Sequence, residues 1–374
     1  MKITQAQELI RGNKSAKIPL NSIYFSPTKY CNLKCSHCWV APPFKVEPVS
    51  EDSDLNLSEI QSMYREALAL GLKFTKLTGG EPLLRKDIVE IIKIIHGLNI
   101  GLHLETNAVL INDDIAKVLG EVRKSDKNFF MAVSLDGNES EHEKQRRVKG
   151  CFNKTLNGIE TLLKYNIQVQ VIFSLSKNNM NVLADVAQIC KGYKARSLKI
   201  NFINNIERGE KLKEKDALLT VREILDFNRE VVSEMEEKYS FPVITNLPPV
   251  FKKIPKIREG GTCGIFGVMG VLSDGAVSMC NIANSTPELI AGNIRQNSLK
   301  ELWENGEVFI KLRNEIPRQL EGICSKCILK SFCLGECRAD AYYKTKCFKK
   351  PFSFCQESFE CGLFPEKWLI ETIN

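Results

Sequence analysis

Three cysteines, Cys31, Cys35 and Cys38, stand within eight residues in the stretch Tyr30-Cys31-Asn32-Leu33-Lys34-Cys35-Ser36-His37-Cys38-Trp39. Cysteine thiolates hold iron–sulfur clusters, and a 4Fe–4S cube asks for four ligands. Only three are offered here, so one iron is left open to a small molecule. A zinc site wants a closed set of four, usually as two pairs. The next cysteine, Cys151, is far along the chain, and His37, between two ligands, reads as a loop residue.

A second group fills the C-terminal third, where nine of the 14 cysteines lie beyond residue 250. Cys263 is followed by Gly275 and Cys280, then by Cys324-x2-Cys327-x5-Cys333-x3-Cys337, then by Cys347, Cys355 and Cys361. So many sulfurs exceed one tetrahedral zinc site, and two zinc ions are the alternative to iron–sulfur clusters. Cys151 and Cys190 read as plain buried residues.

The elements that must position these groups alternate. Apolar runs predict strands over Ser22–Ser26, Lys73–Leu77, Gly101–Glu105, Phe129–Ser134, Val169–Leu175 and Ser197–Phe202. Helical patterns follow at Ser58–Leu70, Lys86–His96, Asp113–Val122, Asn153–Tyr165, Asn179–Lys191 and Thr220–Lys238. Ser58 and Gln61 read as a capping box for the first helix, and Gly71 as its stop. Six strand–helix units imply a parallel sheet with right-handed crossovers, here an α/β fold with an open, partial (β/α)6 TIM-like barrel. Chemistry gathers at the C-terminal ends of such strands, and Cys31 directly follows the first of them. The division expected is a barrel over residues 1–240, a Pro- and Lys-rich linker over 241–256, and a small metal-organised domain over 257–374.

The chain has 374 residues, long enough to bury a core without staples. Its N-terminus lacks the pattern of a signal peptide and no run is long enough to span a bilayer, so a cytoplasmic location is expected. In that reducing compartment clustered cysteines point to metal rather than disulfides. The net charge of +7 is spread along the chain, and nothing resembles a nucleic-acid module. The basic groups Lys144–Lys149 and Lys252–Lys256 read as solvated surface.

CxxxCxxC after the first strand resembles the radical S-adenosylmethionine (AdoMet) superfamily. Other stretches agree in order: Gly79-Gly80-Glu81-Pro82 after the second strand, Glu105-Thr106-Asn107 after the third, and Ser134-Leu135-Asp136-Gly137 after the fourth, with His142 and Arg146 downstream. The resemblance implies that Cys31, Cys35 and Cys38 hold a cluster whose open iron binds AdoMet. It implies that Gly79, Gly80 and Glu81 receive the methionine amino group and that Arg146, or Arg147, pairs the carboxylate. Ser134 and Asn107 would approach the methionine end or the ribose, and Leu175 would pack near the adenine.

The later cysteines resemble the SPASM domain, which holds two auxiliary clusters, making three 4Fe–4S clusters in all. The resemblance gives Cys263, Cys280 and Cys337 to the inner one, its fourth ligand being Cys347, Cys361, a non-cysteine group or a substrate thiol. It gives Cys324, Cys327, Cys333 and a last cysteine to the outer one; Cys355 is chosen from its distance past Cys337, with Cys347 and Cys361 as alternatives.

The activity implied is reductive cleavage of AdoMet to a 5′-deoxyadenosyl radical, driven by a flavodoxin or ferredoxin, and modification of a ribosomally made peptide or small protein by a cross-link, a thioether or excision of a residue fragment. Cys38-Trp39 and Ala41-Pro42-Pro43 look like a maturase subgroup found beside small ribosomal peptides. Formylglycine formation is disfavoured, because Asn281 stands where those members carry Asp. Only 30 residues precede Cys31, so a leader peptide would be held by a separate small protein or by the SPASM surface. The competing readings are a tetrapyrrole- or heme-pathway enzyme and a non-catalytic metal scaffold.

Overall fold

A computed structural model describes residues 18–370 apart from 127–128, 258–262 and 282–285. The segment preceding residue 18, where a targeting signal was sought, lies outside the described residues. Six strands run in parallel and in chain order: β1 (Ser22–Phe25), β2 (Phe74–Leu77), β3 (Gly101–Thr106), β4 (Phe130–Ser134), β5 (Gln170–Leu175) and β6 (Ser197–Phe202). Between them lie α1 (Leu57–Ala69), α2 (Ile88–Gly97), α3 (Asp113–Ser125), α4 (Glu139–Arg146), α5 (Cys151–Lys164) and α6 (Leu183–Gly192); α7 (Arg208–Glu214) and α8 (Val221–Tyr239) follow β6. The open, partial barrel expected from the sequence is this parallel sheet.

The longer helices each bury one stripe. In α2 the buried positions are Ile88, Ile91, Ile92 and Ile95, the spacing that keeps one face of a helix against a sheet. Each such side chain contributes about 1.5–3 kcal/mol of burial. The cap of α1 lies two residues earlier than expected: Asn56, not Ser58, accepts from the Glu59 amide, and the Glu59 side chain accepts from Asn56 N. Asn56 competes well for an N-cap, and Glu three residues on completes the box. The box at Thr220 and Glu223 opens α8 in the same way.

The sheet does not stop at the barrel. The stretch read as a linker carries β7 (Val243–Thr245), paired parallel with β6. On the other side, β8 (Val268–Val271) pairs parallel with β1, and β9 (Ala276–Ser278) and β10 (Ile290–Asn293) continue antiparallel. One ten-stranded sheet, in the order β10-β9-β8-β1-β2-β3-β4-β5-β6-β7, thus joins the barrel to the second cysteine group. No helix among the described residues is long and apolar enough to cross a membrane.

Candidate functional site

The loop after β1 carries the first three cysteines and is tied down from four directions. Cys31 N donates to Pro43 O at 3.0 Å, closing the loop on itself. Lys34 N and Ser36 N donate to the carbonyls of Arg146 and Gln145 at the end of α4. Glu81 N donates to Tyr30 O at 2.8 Å. Arg208, at the start of α7, donates to Cys35 O and Pro42 O, each at 3.2 Å. Loops at the ends of β1, β2, β4 and β6 are therefore locked together around the triad.

The three sulfurs line one side of a cleft of about 1510 Å³ that opens to solvent and reaches across the strand ends. Its wall includes Gly79, Gly80, Glu81, Asn107, Ser134 and Arg146, so the residues singled out at successive strand ends are brought together. Each sulfur accepts a hydrogen bond from the chain: Cys31 from Leu33 N at 3.4 Å, Cys38 from Ala41 N at 3.3 Å, and Cys35 from Arg146 Nη1 at 3.4 Å. Burial, and then the neighbouring Cys35, raises the pKa of both the Cys31 and Cys38 thiols. Such thiolates need a cation close by, and N–H donors aimed at sulfur suit cluster-bound thiolates. Three soft ligands on one wall of an open cavity fit a cube with one iron left accessible.

Cys151, dismissed from its distance along the chain, packs in the same small apolar cluster as Cys31 and Cys35. It lines a separate pocket beyond the loop, with Asn32, Phe44 and Val148, and not the barrel cleft. A Cys151→Ser variant is accordingly expected to keep the iron content and AdoMet cleavage of the parent, measured by anaerobic metal analysis and product chromatography. Loss of a cluster's worth of iron would make Cys151 a ligand. Cys190 is fully buried in the main core.

Glu81 departs from the role expected of it. Its carboxylate is 2% exposed and accepts three hydrogen bonds from the chain: from Thr106 Oγ1 at 2.6 Å, Asn107 N at 2.8 Å and Leu83 N at 3.1 Å. Burial raises its pKa, and the three donors work against the rise. The side chain thus fastens β2 to β3. Asn107 Nδ2 in turn donates to Asn32 Oδ1 in the cysteine loop at 2.7 Å.

The two glycines also serve the chain itself. A Cβ at Gly80 would overlap the Tyr30 carbonyl oxygen, and one at Gly79, whose φ is +111°, would overlap Ser26. Gly80→Ala is expected to push the loop off β2 and lower the melting temperature by several degrees, read by thermal unfolding of the cluster-loaded protein. An unchanged melting temperature would mean that the loop yields freely.

Asp136, His142 and Arg146 form one buried unit. Arg146 Nη2 lies 2.6 Å from Asp136 Oδ2, Asp136 N donates to His142 Nδ1 at 3.1 Å, and Ser174 N donates to Asp136 Oδ1 at 2.8 Å. Burial holds both nearby imidazoles neutral, His37 at about 4 and His142 at about 3. Arg146 is therefore held by Asp136 and Cys35, and its Nε has no hydrogen-bond partner among the described residues. Arg147, its competitor, caps α4 with φ +58° and is exposed. Leu175, expected near the adenine, is 0% exposed and does not line the cleft, whereas Ile172 and Ser174 of the same strand do.

The second cysteine group forms two gatherings. Cys324, Cys327, Cys333 and Cys355 line one small apolar pocket of about 350 Å³. Cys361 is exposed and Cys347 half-buried, and neither lines it. Burial, and then Cys337 and Cys280, raises the Cys263 thiol, so these three are neighbours too. Cys337 caps a helix over Arg338–Thr345, accepting from Asp340 N at 3.4 Å, and burial pushes its thiol up to about 12.

Between the gatherings sits Glu336, whose carboxylate burial raises to about 7. The fully buried Arg338 clamps the surrounding turns through Gly335 O, Phe348 O and Lys350 O. Asn281 Nδ2 donates to Ser26 Oγ at 3.0 Å, joining this region to the cysteine loop. Sequence reasoning missed Arg208, Glu336 and Arg338. Glu336 and Arg338 flank Cys337, which was the one signal that could have raised them.

Comparison with known proteins gives the family. Residues 25–188 match the model of the radical SAM superfamily, and residues 263–328 that of an iron–sulfur cluster-binding domain, SPASM. The chain is 30% identical to an AdoMet-dependent heme synthase of Methanosarcina barkeri, over 88% of this chain and 94% of that one. It is 25% identical to a PqqA peptide cyclase of Rhizobium meliloti, over 84% of this chain and 81% of that one. In fold it is similar to SuiB of Streptococcus suis bound to the precursor peptide SuiA, with a TM-score of 0.71 and 17% identity over 94% of this chain and 79% of that one.

A cysteine triad on an open barrel cleft, a second set of gathered thiols and likeness to such a relative over 88% of the chain converge: the chain is an enzyme of the radical AdoMet superfamily, whose domains hold 4Fe–4S clusters and bind AdoMet, and it carries the SPASM iron–sulfur domain.

Proposed function

We propose that this enzyme modifies a ribosomally made peptide or small protein. The observation that carries the reading is the cleft, which is large and open to solvent beside the cysteine triad, as a chain segment requires. The likeness to the PqqA peptide cyclase and to the fold of peptide-bound SuiB supports it.

Cys31, Cys35 and Cys38 would hold the AdoMet-binding cluster, Cys263, Cys280 and Cys337 the inner auxiliary one, and Cys324, Cys327, Cys333 and Cys355 the outer one. When bound and reduced, the first cluster supplies the electron that splits AdoMet into methionine and a 5′-deoxyadenosyl radical. The chain's own residues bind and orient. The Gly79 and Gly80 carbonyls take the methionine ammonium, while Glu81 fixes the turn that presents them. Arg146 balances the Cys35 thiolate and offers Nε to the methionine carboxylate, and Asn107 and Ser134 line the approach to the ribose. The barrel, residues 1–240, makes the radical, and residues 257–374 carry the auxiliary clusters. A flavodoxin or ferredoxin delivers electrons, and a separate small protein or the SPASM surface holds any leader.

The test is anaerobic incubation of the reconstituted enzyme, AdoMet and reductant with short peptides encoded beside its gene. A peptide mass change that requires AdoMet is expected. Consumption of an iron porphyrin, with every peptide unchanged, would sink the proposal. That outcome is the second reading, a tetrapyrrole enzyme, favoured by the identity to the heme synthase of M. barkeri.

A further inference from the structure

Three charged side chains on the wall of the cleft have no part in the site as described so far. Lys76 on β2, Glu105 on β3 and Lys199 on β6 all line it. Lys76 Nζ lies 2.7 Å from Glu105 Oε1, and Thr78 Oγ1 donates to Glu105 Oε2 at 3.4 Å. Burial opposes the charge on Glu105, but Lys76 and then Lys199 outweigh it and hold the carboxyl below its usual range. Lys76 also stands 4.9 Å above the ring of Tyr24 on β1. Cys280 acts on both Tyr24 and Lys76, and Cys263 on Tyr24, which puts the trio on the side of the cleft toward the inner auxiliary cysteines.

The charges do not balance. Glu81 is occupied by three donors of its own chain, Arg146 is paired with Asp136, and Lys76 is paired with Glu105. Lys199 is left. Among the described residues it has no ion pair or hydrogen bond; Glu105 favours its ammonium, but burial and the like charge of Lys76 outweigh that. A largely desolvated ammonium with half a share in one carboxylate is costly to keep, and a second carboxylate would relieve it.

We infer that Lys199, with Lys76, is an anchor for a carboxylate of the substrate, holding it between the AdoMet cluster loop and the inner auxiliary site. The anchor rests on the reading of this cleft as the substrate site and not on the choice of peptide over tetrapyrrole. An Asp, Glu or terminal carboxylate of a peptide and a propionate of a tetrapyrrole present the same anion. A charge-assisted pair in such a cavity is strong enough to fix which carbon faces the methionine end. Lys76, already shared with Glu105, sets the position, and Lys199 supplies the free charge.

The test needs no turnover. Anaerobic, cluster-loaded enzyme with AdoMet is treated with a small neutral acetylating reagent, and acetylation of Lys199 is followed by peptide mass spectrometry. Glutarate is expected to slow it about tenfold at saturation, whereas the neutral diamide of glutarate leaves it unchanged. Glu105→Gln, which frees Lys76, should strengthen protection by glutarate. Lys199→Met, read at Lys76, should weaken it.

Two further pairs separate the sources: iron coproporphyrin III against its tetramethyl ester, and an acidic peptide pool against its amidated form. Protection by either acid but not by its neutral counterpart supports the anchor and names the class. If every acid and its neutral partner protect Lys199 equally, the inference falls, whatever the mass change in the peptide assay shows.

Discussion

A Cys35→Ala variant is expected to release no detectable 5′-deoxyadenosine and, after anaerobic reconstitution, to carry about four fewer irons per chain than the parent, the content of one cube. The effect is large for two reasons that act at one atom. The substitution removes one of only three thiols on the cleft wall, so a cluster held there would keep two ligands. It also strips Arg146 Nη1 of the sulfur 3.4 Å away, leaving a buried guanidinium with Asp136 alone. Circular dichroism should show a folded protein, because the loop is held chiefly by backbone bonds from Pro43, Arg146 and Gln145. Undiminished deoxyadenosine release by the variant would refute the assignment. The same measurement on Cys333→Ala separates the sites: that thiol belongs to the second gathering, so iron should fall while AdoMet cleavage persists.

The parts of this site that were legible in the sequence share one property: they are local. CxxxCxxC, Gly79–Pro82 and Ser134–Gly137 are runs whose geometry is set within a few residues, and each follows a strand whose apolar run is equally local. The strand over Ser197–Phe202 has the bounds expected from the sequence, and in it Leu198 and Ile200 turn into the core while Lys199 and Asn201 line the cleft.

What was missed depends on contacts between distant segments. The pairing of β8 with β1 joins Val268 to Ser22 and leaves no trace in either segment. The strand β7 is three residues long and lies in a Pro-rich stretch, too short for a period. The helix α4, ESEHEKQR, buries His142, Gln145 and Arg146, so an apolar stripe could not reveal it. Lys76 and Lys199 are single lysines on strands and look like solvent-facing alternation until the barrel curls and turns them toward each other. Leu175 closes a strand buried along its whole length, so its local sequence does not tell which face it takes.

The Glu81→Ala variant should lose both stability and AdoMet binding. The carboxylate is the shared acceptor for Thr106 Oγ1, Asn107 N and Leu83 N, all on buried residues. Removing it leaves three donors unsatisfied, at about 1–3 kcal/mol each before any relaxation. The sum falls short of simple addition because the donors are neighbours and the cavity can collapse.

AdoMet binding suffers by a separate route. The short helical turn Pro82–Leu84 is capped by this side chain, and the Gly79–Gly80 segment enters it directly. Without the cap, the carbonyls proposed for the methionine ammonium lose their fixed direction, and affinity for AdoMet is expected to fall by about tenfold or more. Glu81→Gln keeps the shape and one acceptor oxygen but turns an NH2 group toward one of the donors. It should therefore fall between Ala and the parent in both thermal unfolding and AdoMet titration. A stable Glu81→Ala protein with parental AdoMet affinity would show that the carboxylate fastens nothing, and the account of how β2 and β3 hold the cysteine loop would have to be abandoned.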